Sequence, residues 1–270
     1  MIRVKRVCVV WAILGVLNAC FAFGQNTDRD ASRRVVLVEL YTSQGCDMCP
    51  EAERLLGLLA EKQPNVVPIA FHVDYFNTPW KDPFSSPLHS QRQAAYNTLH
   101  TKPKNPEYGL YYTPMMMVNG VDSVNGREPA AQRDAVRGAL TKPPSASLHG
   151  TVRLASDRRS GTVVVNVAAR SPRVEGKEVL VCAAVRDDRV ETKVESGENA
   201  GKTLTNRFPA RLMKYEFVRL SAKSDEAVEL PIKLDPSWKT EKLDVVVFAQ
   251  DKKTGEIYQA AVVPWRDGKY

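Results

Sequence analysis

Residues 35–56, "VVLVELYTSQGCDMCPEAERLL", constrain this chain more than any other stretch. Residues 35–40 are a continuous, β-branched-rich apolar run of strand length, which predicts a strand buried on both faces. A short polar loop follows, and then two cysteines three positions apart open a run of helical periodicity carrying Leu55, Leu56, Leu58 and Leu59. A cysteine at a helix start faces unpaired backbone N–H groups and the positive end of the helix dipole, and both favour a thiolate. Cys46 is therefore the expected nucleophile toward a disulfide sulfur. Cys49, one turn on, would resolve the mixed disulfide.

The start of the chain bears on where such chemistry would operate. Arg3, Lys5 and Arg6 precede the apolar residues 7–17, "VCVVWAILGVL", and no acid occurs before Asp28. This is the three-part pattern of a secretory signal over residues 1–24, with residues 25–34 as a polar linker. The apolar run is well short of the roughly 20 residues that span a bilayer, so no transmembrane span is expected in the mature protein. The expected location is periplasmic or secreted. "LNAC", residues 17–20, offers an alternative in which Cys20 is lipidated as a membrane anchor. Either way Cys46, Cys49 and Cys182 remain, an odd count that suits a reactive pair better than a disulfide framework.

The formal charge of +7 shrinks without the three signal cations, to 35 basic against 31 acidic residues. These are interspersed, so nucleic-acid binding is not expected. The implied partners are protein thiols or disulfides of the cell envelope and an unidentified redox partner.

Residues 65–76, "NVVPIAFHVDYF", read as a second buried strand, giving a β-α-β unit with parallel pairing. Residues 77–107 read as a helical insertion. Met115 to Val118 form a strand, Asn119-Gly120 signals a hairpin, and residues 128–140 form a closing helix. This order, β-α-β-α-β-β-α, is that of the thioredoxin fold, expected over residues 35–142. Beyond "TKPPSAS", seven strand-like runs over 148–270 predict a separate antiparallel β-sandwich.

Three further site residues follow from that expectation. Thioredoxin-like proteins place a cis-proline opposite the dithiol, a role that falls to Pro114, preceded by Thr113; cis bonds are almost confined to proline. They also bury an acid in the strand before the dithiol, which points to Glu39 as proton acceptor, although it lies seven residues before Cys46, one more than usual. No cofactor is expected beyond the redox-active disulfide itself. Metal binding is the main alternative: Cys46, Cys49 and His72 as zinc or copper ligands, with Met115 to Met117 nearby as soft donors. Three consecutive methionines in a strand suit core packing equally well. A non-enzymatic binding module, built on the β-rich half and its loop 196–208, is the third reading.

"VELYTSQGCDMCPEAE", "AFHVDYF", "YTPMMMVNG" and "GENAGKTLTNRF" together resemble one group, the secreted bacterial thioredoxin-like family catalogued as domain of unknown function 1223. The resemblance covers roughly residues 35 to 265. It implies a thioredoxin-like domain with an appended β-rich domain, and no particular substrate. The chain departs from the family's usual "CSSCPPA" at Asp47, Met48 and Glu51. Negative charge there opposes the helix dipole and is expected to hold the Cys46 thiol near its ordinary value of about 8.5, giving a reductant-like potential.

Overall fold

A computed structural model of the protein describes residues 33–100 and 109–269. The signal, Cys8, Cys20 and most of the linker lie outside the described residues, as does the end of the expected insertion. The chain runs β1 (Val36–Thr42), α1 (Cys49–Lys62), β2 (Val66–His72), α2 (Pro87–Leu99), β3 (Met115–Val118), β4 (Asp122–Asn125) and α3 (Pro129–Leu140). Strands β5 (Ala146–Leu154), β6 (Ser160–Ala169), β7 (Glu178–Asp187), β8 (Arg189–Lys193) and β9 (Thr203–Arg207) follow. The last are β10 (Ala210–Arg219), β11 (Glu226–Lys233), β12 (Leu243–Asp251), β13 (Ile257–Pro264) and β14 (Gly268–Lys269).

Three four-stranded sheets stack on one another, in the orders β2-β1-β3-β4, β10-β7-β12-β13 and β11-β6-β5-β14. β1 and β2 are parallel, and β3 runs antiparallel to β1 with Met115 opposite Tyr41. One face of the first sheet, with Val36, Val38, Leu40, Ala70 and Met116, packs on Ala52 and Leu56 of α1 and Val136 of α3. Its other face, with Leu37, Tyr41, Phe71, Met115 and Met117, packs on Cys182, Ala184, Val246 and Phe248 of the second sheet. The second sheet's far face, with Val181, Ala183, Val185 and Val247, meets Val163, Val165 and Leu230 of the third.

The expected architecture, a thioredoxin-like α/β domain followed by a β-sandwich, is therefore corrected. The described residues hold fourteen strands and only three α-helices, so the protein is mostly β. No separate α/β domain precedes a sandwich, because the middle core draws on both halves of the chain and buries both faces of β7 and β12. Each fully buried large apolar side chain there contributes about 1.5–3 kcal/mol. Backbone ties reinforce the union: Ala70 N–H donates to Phe208 O at 2.9 Å, and Ile257 N–H donates to Asn119 O at 3.0 Å. The β3–β4 turn is itself pressed on the far half. A β-carbon on Gly120, at φ +73°, would lie 1.9 Å from Gly255 O, so only glycine fits.

Residues 189–207, outside the seven expected runs, form the β8–β9 ribbon and the loop that joins it. The ribbon lies against α1, where Arg207 Nη1 reaches Glu61 Oε1 at 3.0 Å. None of the helices among the described residues is long and apolar enough to cross a membrane.

Candidate functional site

β1 ends at Thr42, and the loop Ser43–Met48 leads directly into α1. Helix α1 begins at Cys49 with Pro50 in its first turn, where a missing N–H costs nothing, and no side chain caps it. Of its first-turn N–H groups, that of Cys49 donates to Cys46 O at 3.3 Å, closing the cysteine loop on the helix start. Cys46 and Cys49 form a disulfide with their Cα atoms 5.5 Å apart. Both sulfur-bearing residues are buried, Cys46 to 2% exposure and Cys49 completely.

Pro114 lies on the same edge. Thr113–Pro114 is a cis peptide bond, and Met115, the next residue, pairs with Tyr41 at the end of β1 from which the cysteine loop leaves. Pro114 O accepts from Gly126 N–H at 3.0 Å. Pro114 Cβ and Ala52 Cβ both lie 3.0 Å from where a Gly126 β-carbon would sit, which sets the proline against the first turns of α1. Thr113 Oγ1 is buried with no hydrogen-bond partner among the described residues.

A part of the site that the sequence did not expose comes from the β8–β9 loop. Asn199, wholly buried, donates through Nδ2 to Cys46 O at 2.8 Å and Gln44 O at 3.0 Å. Asp47 N–H donates to Glu198 Oε2 at 2.8 Å. The far half of the chain thereby straps the cysteine loop shut. The loop 196–208, singled out as a contact surface, is half strap and half strand.

The charges expected near Cys46 are rearranged in consequence. Glu51 is gripped by Arg54, Nε to Oε2 at 2.8 Å and Nη2 to Oε1 at 2.7 Å, and that hydrogen bond lowers its pKa. Glu51 is thus locally compensated, and Asp47 is joined instead by Glu198.

Glu39 occupies a different place from the one expected. It shares the face of β1 carrying Leu37 and Tyr41, while α1 packs on the face carrying Val38 and Leu40. Its carboxylate accepts from Arg92 Nε at 2.7 Å and Nη2 at 3.0 Å, from Tyr96 Oη at 2.7 Å and from Tyr41 Oη at 3.0 Å. Arg92 Nη1 continues to Gln250 Oε1 at 2.8 Å, locking the cluster to β12. The structure does not bring Glu39 to the dithiol.

A second buried carboxylate, missed in the sequence, stands on the correct face. Glu53 is four residues after Cys49, so the two share one face of α1, and both are buried. Glu53 accepts from Thr42 Oγ1 at 3.0 Å and from Arg207 N–H at 3.2 Å. Burial raises its pKa, with His72 and Thr42 opposing.

His72 lies beside Glu53, with Nε2 3.8 Å from Glu53 Oε1. Its Nδ1 bonds Asp82 Oδ2 at 2.7 Å. As for a metal centre, Cys46 and Cys49 are bonded to each other and His72 is engaged by Asp82. Among the described residues no group of three or more His, Cys, Asp or Glu is placed to hold an ion. The three methionines are fully buried, Met115 and Met117 in one core and Met116 in another. Cys182 is buried between the sheets, and that burial pushes its thiol up to about 12, leaving it inert.

Fold and site together define a β-rich protein with a strapped Cys-X-X-Cys disulfide at the head of a helix. The chain belongs to the family described as "Protein of unknown function (DUF1223)", whose model matches residues 37–250. It is similar in fold to Agrobacterium tumefaciens protein AGR_C_4864, at 20% identity and TM-score 0.60, covering 88% of this chain and 98% of that one. It is also similar to HBP35 of Porphyromonas gingivalis, at 16% identity and TM-score 0.65, covering 86% and 76%. No curated protein matches.

Proposed function

We propose that the protein is an exported thiol-disulfide oxidoreductase acting on protein thiols or disulfides of the cell envelope. The observation that carries this reading is the Cys46–Cys49 disulfide itself, formed at an uncapped helix start with Pro114 packed beside that helix. Cys46 precedes the helix and is the attacking sulfur in the dithiol state. Cys49, inside the first turn, resolves the mixed disulfide by attacking the Cys46 sulfur, which re-forms the bond seen here and releases the reduced substrate. Asp47 and Glu198 place negative charge beside Cys46, which stabilises its thiolate less and the disulfide more, so the pair is reductant-like.

The test is capture of a substrate. A Cys49→Ala variant has a nucleophile and no resolving thiol, so in cells it should accumulate mixed disulfides through Cys46. The pre-reduced wild type should in turn reduce insulin disulfides. A variant that traps nothing, together with a wild type that leaves insulin intact, would sink the proposal.

A further inference from the structure

Under Cys49 lies a buried cluster of three titratable side chains. Glu53, His72 and Asp82 are all at or below 3% exposure and come from α1, the end of β2 and the following loop. Asp82 is the anchor. It accepts from Gln44 N–H at 2.8 Å, Gln44 Nε2 at 3.2 Å and Phe84 N–H at 2.9 Å, and so is fastened to the loop that carries Cys46. With His72 Nδ1–H donated to Asp82, Nε2 is left buried, without a hydrogen-bond partner among the described residues and turned toward Glu53.

A merely structural ion pair would close that gap. The Arg92–Glu39 pair, equally buried, does so at 2.7 Å. At 3.8 Å the Glu53–His72 pair is held short of contact by Thr42 and Arg207 on one side and Asp82 on the other. The remaining neighbours supply no fixed counter-ion to Glu53. The Arg207 guanidinium is turned to Glu61, and Arg211 is paired with Asp187. His89 gives only its Nδ1, to His72 O at 3.0 Å.

We infer that Glu53 is the proton acceptor for Cys49, with His72, oriented by Asp82, holding the compensating positive charge. This rests on the oxidoreductase reading and assigns its proton step. Cys46 thiolate attacks a substrate disulfide, forming a Cys46–substrate bond and expelling one substrate thiolate. Glu53 then takes the proton of the Cys49 thiol. The Cys49 thiolate attacks the Cys46 sulfur, the Cys46–Cys49 bond forms, and the second substrate thiolate leaves. Two electrons pass to the substrate, and one proton stays on Glu53 until the dithiol is regenerated. The electrostatics agree. Burial favours neutral His72, but the Asp82 charge and hydrogen bond outweigh it, so the imidazole is raised toward its cationic form. A proton on Glu53 then leaves Asp82 and His72 as a neutralised pair.

The test uses the reduced, purified protein and the aromatic disulfide 5,5′-dithiobis(2-nitrobenzoate). Attack by Cys46 releases one thionitrobenzoate, and resolution by Cys49 releases a second. In the wild type the second phase should be nearly flat between about pH 6 and 8. In Glu53→Gln it should be about 100-fold slower at pH 6.5, the low end of general-base catalysis, and rise about tenfold per pH unit as hydroxide replaces the carboxylate. His72→Gln reads the same step if Glu53→Gln does not fold, with a smaller loss at pH 6.5 that is also recovered at high pH. A second phase with wild-type pH dependence in the folded variant overturns the assignment of Glu53. A wild type that releases no thionitrobenzoate at all overturns the oxidoreductase reading, and this step with it.

Discussion

Glu39 and Glu53 are both buried carboxylates of the same layer, and they sit on opposite faces of the first sheet. Glu39 is completed by one permanent cation and two phenols, all within 3.0 Å, and Gln250 ties that cluster to the second sheet. Glu53 is completed by a hydroxyl, a backbone N–H and an imidazole standing 3.8 Å away. One face holds a charge that cannot move, because guanidinium does not lose its proton in a protein. The other holds titratable groups, Glu53 and His72, with Glu53 one helical turn along α1 from Cys49, where the proposed proton step is placed. Rigidity and reactivity are thus separated by the thickness of a single sheet.

Removing the fixed cation should break the first face most severely. Arg92→Met leaves Glu39 buried and uncompensated and is expected to cost about 3–5 kcal/mol in urea unfolding, with Glu39→Gln added to it restoring part of the loss. The same face should be the acid-sensitive one. His89 packs on Phe71 at 4.9 Å, and burial pushes its imidazole down to about 4. A depressed folded value means stability that is complete above the ordinary histidine value near 6.5 and lost as pH falls toward 4. That window is worth about 3 kcal/mol. Unfolding curves of wild type and His89→Gln should therefore converge as pH drops from 7 to 4. Glu53 has the opposite sign: its raised folded value adds stability as pH falls, so Glu53→Gln should steepen the acid loss.

Smaller effects are expected around the disulfide. Replacing both Cys46 and Cys49 by serine should cost roughly 2 kcal/mol on the chain-entropy model, because the loop closed is so short. Asn199→Ala removes the strap's two hydrogen bonds and should cost about 1–2 kcal/mol. Its sharper signature is kinetic. The Cys46–Cys49 bond should be reduced several-fold faster by dithiothreitol, followed by alkylation and mass measurement, since the strap no longer shields Cys46.

The sequence made some of this legible and hid the rest for identifiable reasons. The β1 strand, the cysteines at the head of a helix and the hairpin at Asn119-Gly120 are local signals, and local signals survive in a single chain. Glu39 failed on parity. Strand side chains alternate, and the one extra residue before Cys46 turns it to the face away from α1. Glu53 carries a sequence signal of its own: Cys49, Ala52, Glu53 and Leu56 are one buried stripe, offset from the half-buried Leu55 and Leu58. The stacked sheets were also written in the strands. "VLVCAAV", residues 179–185, and "VVVFA", residues 245–249, are apolar at every position, whereas "AVELPIKL" alternates, and strands covered on both sides read as the first two do. Asn199 and Asp82 had no readable signal, because their partners are separated from them by up to 155 residues.

The most direct test of the central claim is a redox titration of Cys46–Cys49 in glutathione buffers at pH 7, with the dithiol fraction quantified after alkylation. A reversible two-electron transition is expected, closer to the roughly −270 mV of thioredoxin than to the roughly −120 mV of strongly oxidising disulfide donors. A pair that does not interconvert with glutathione, or one poised near −120 mV, would contradict the account.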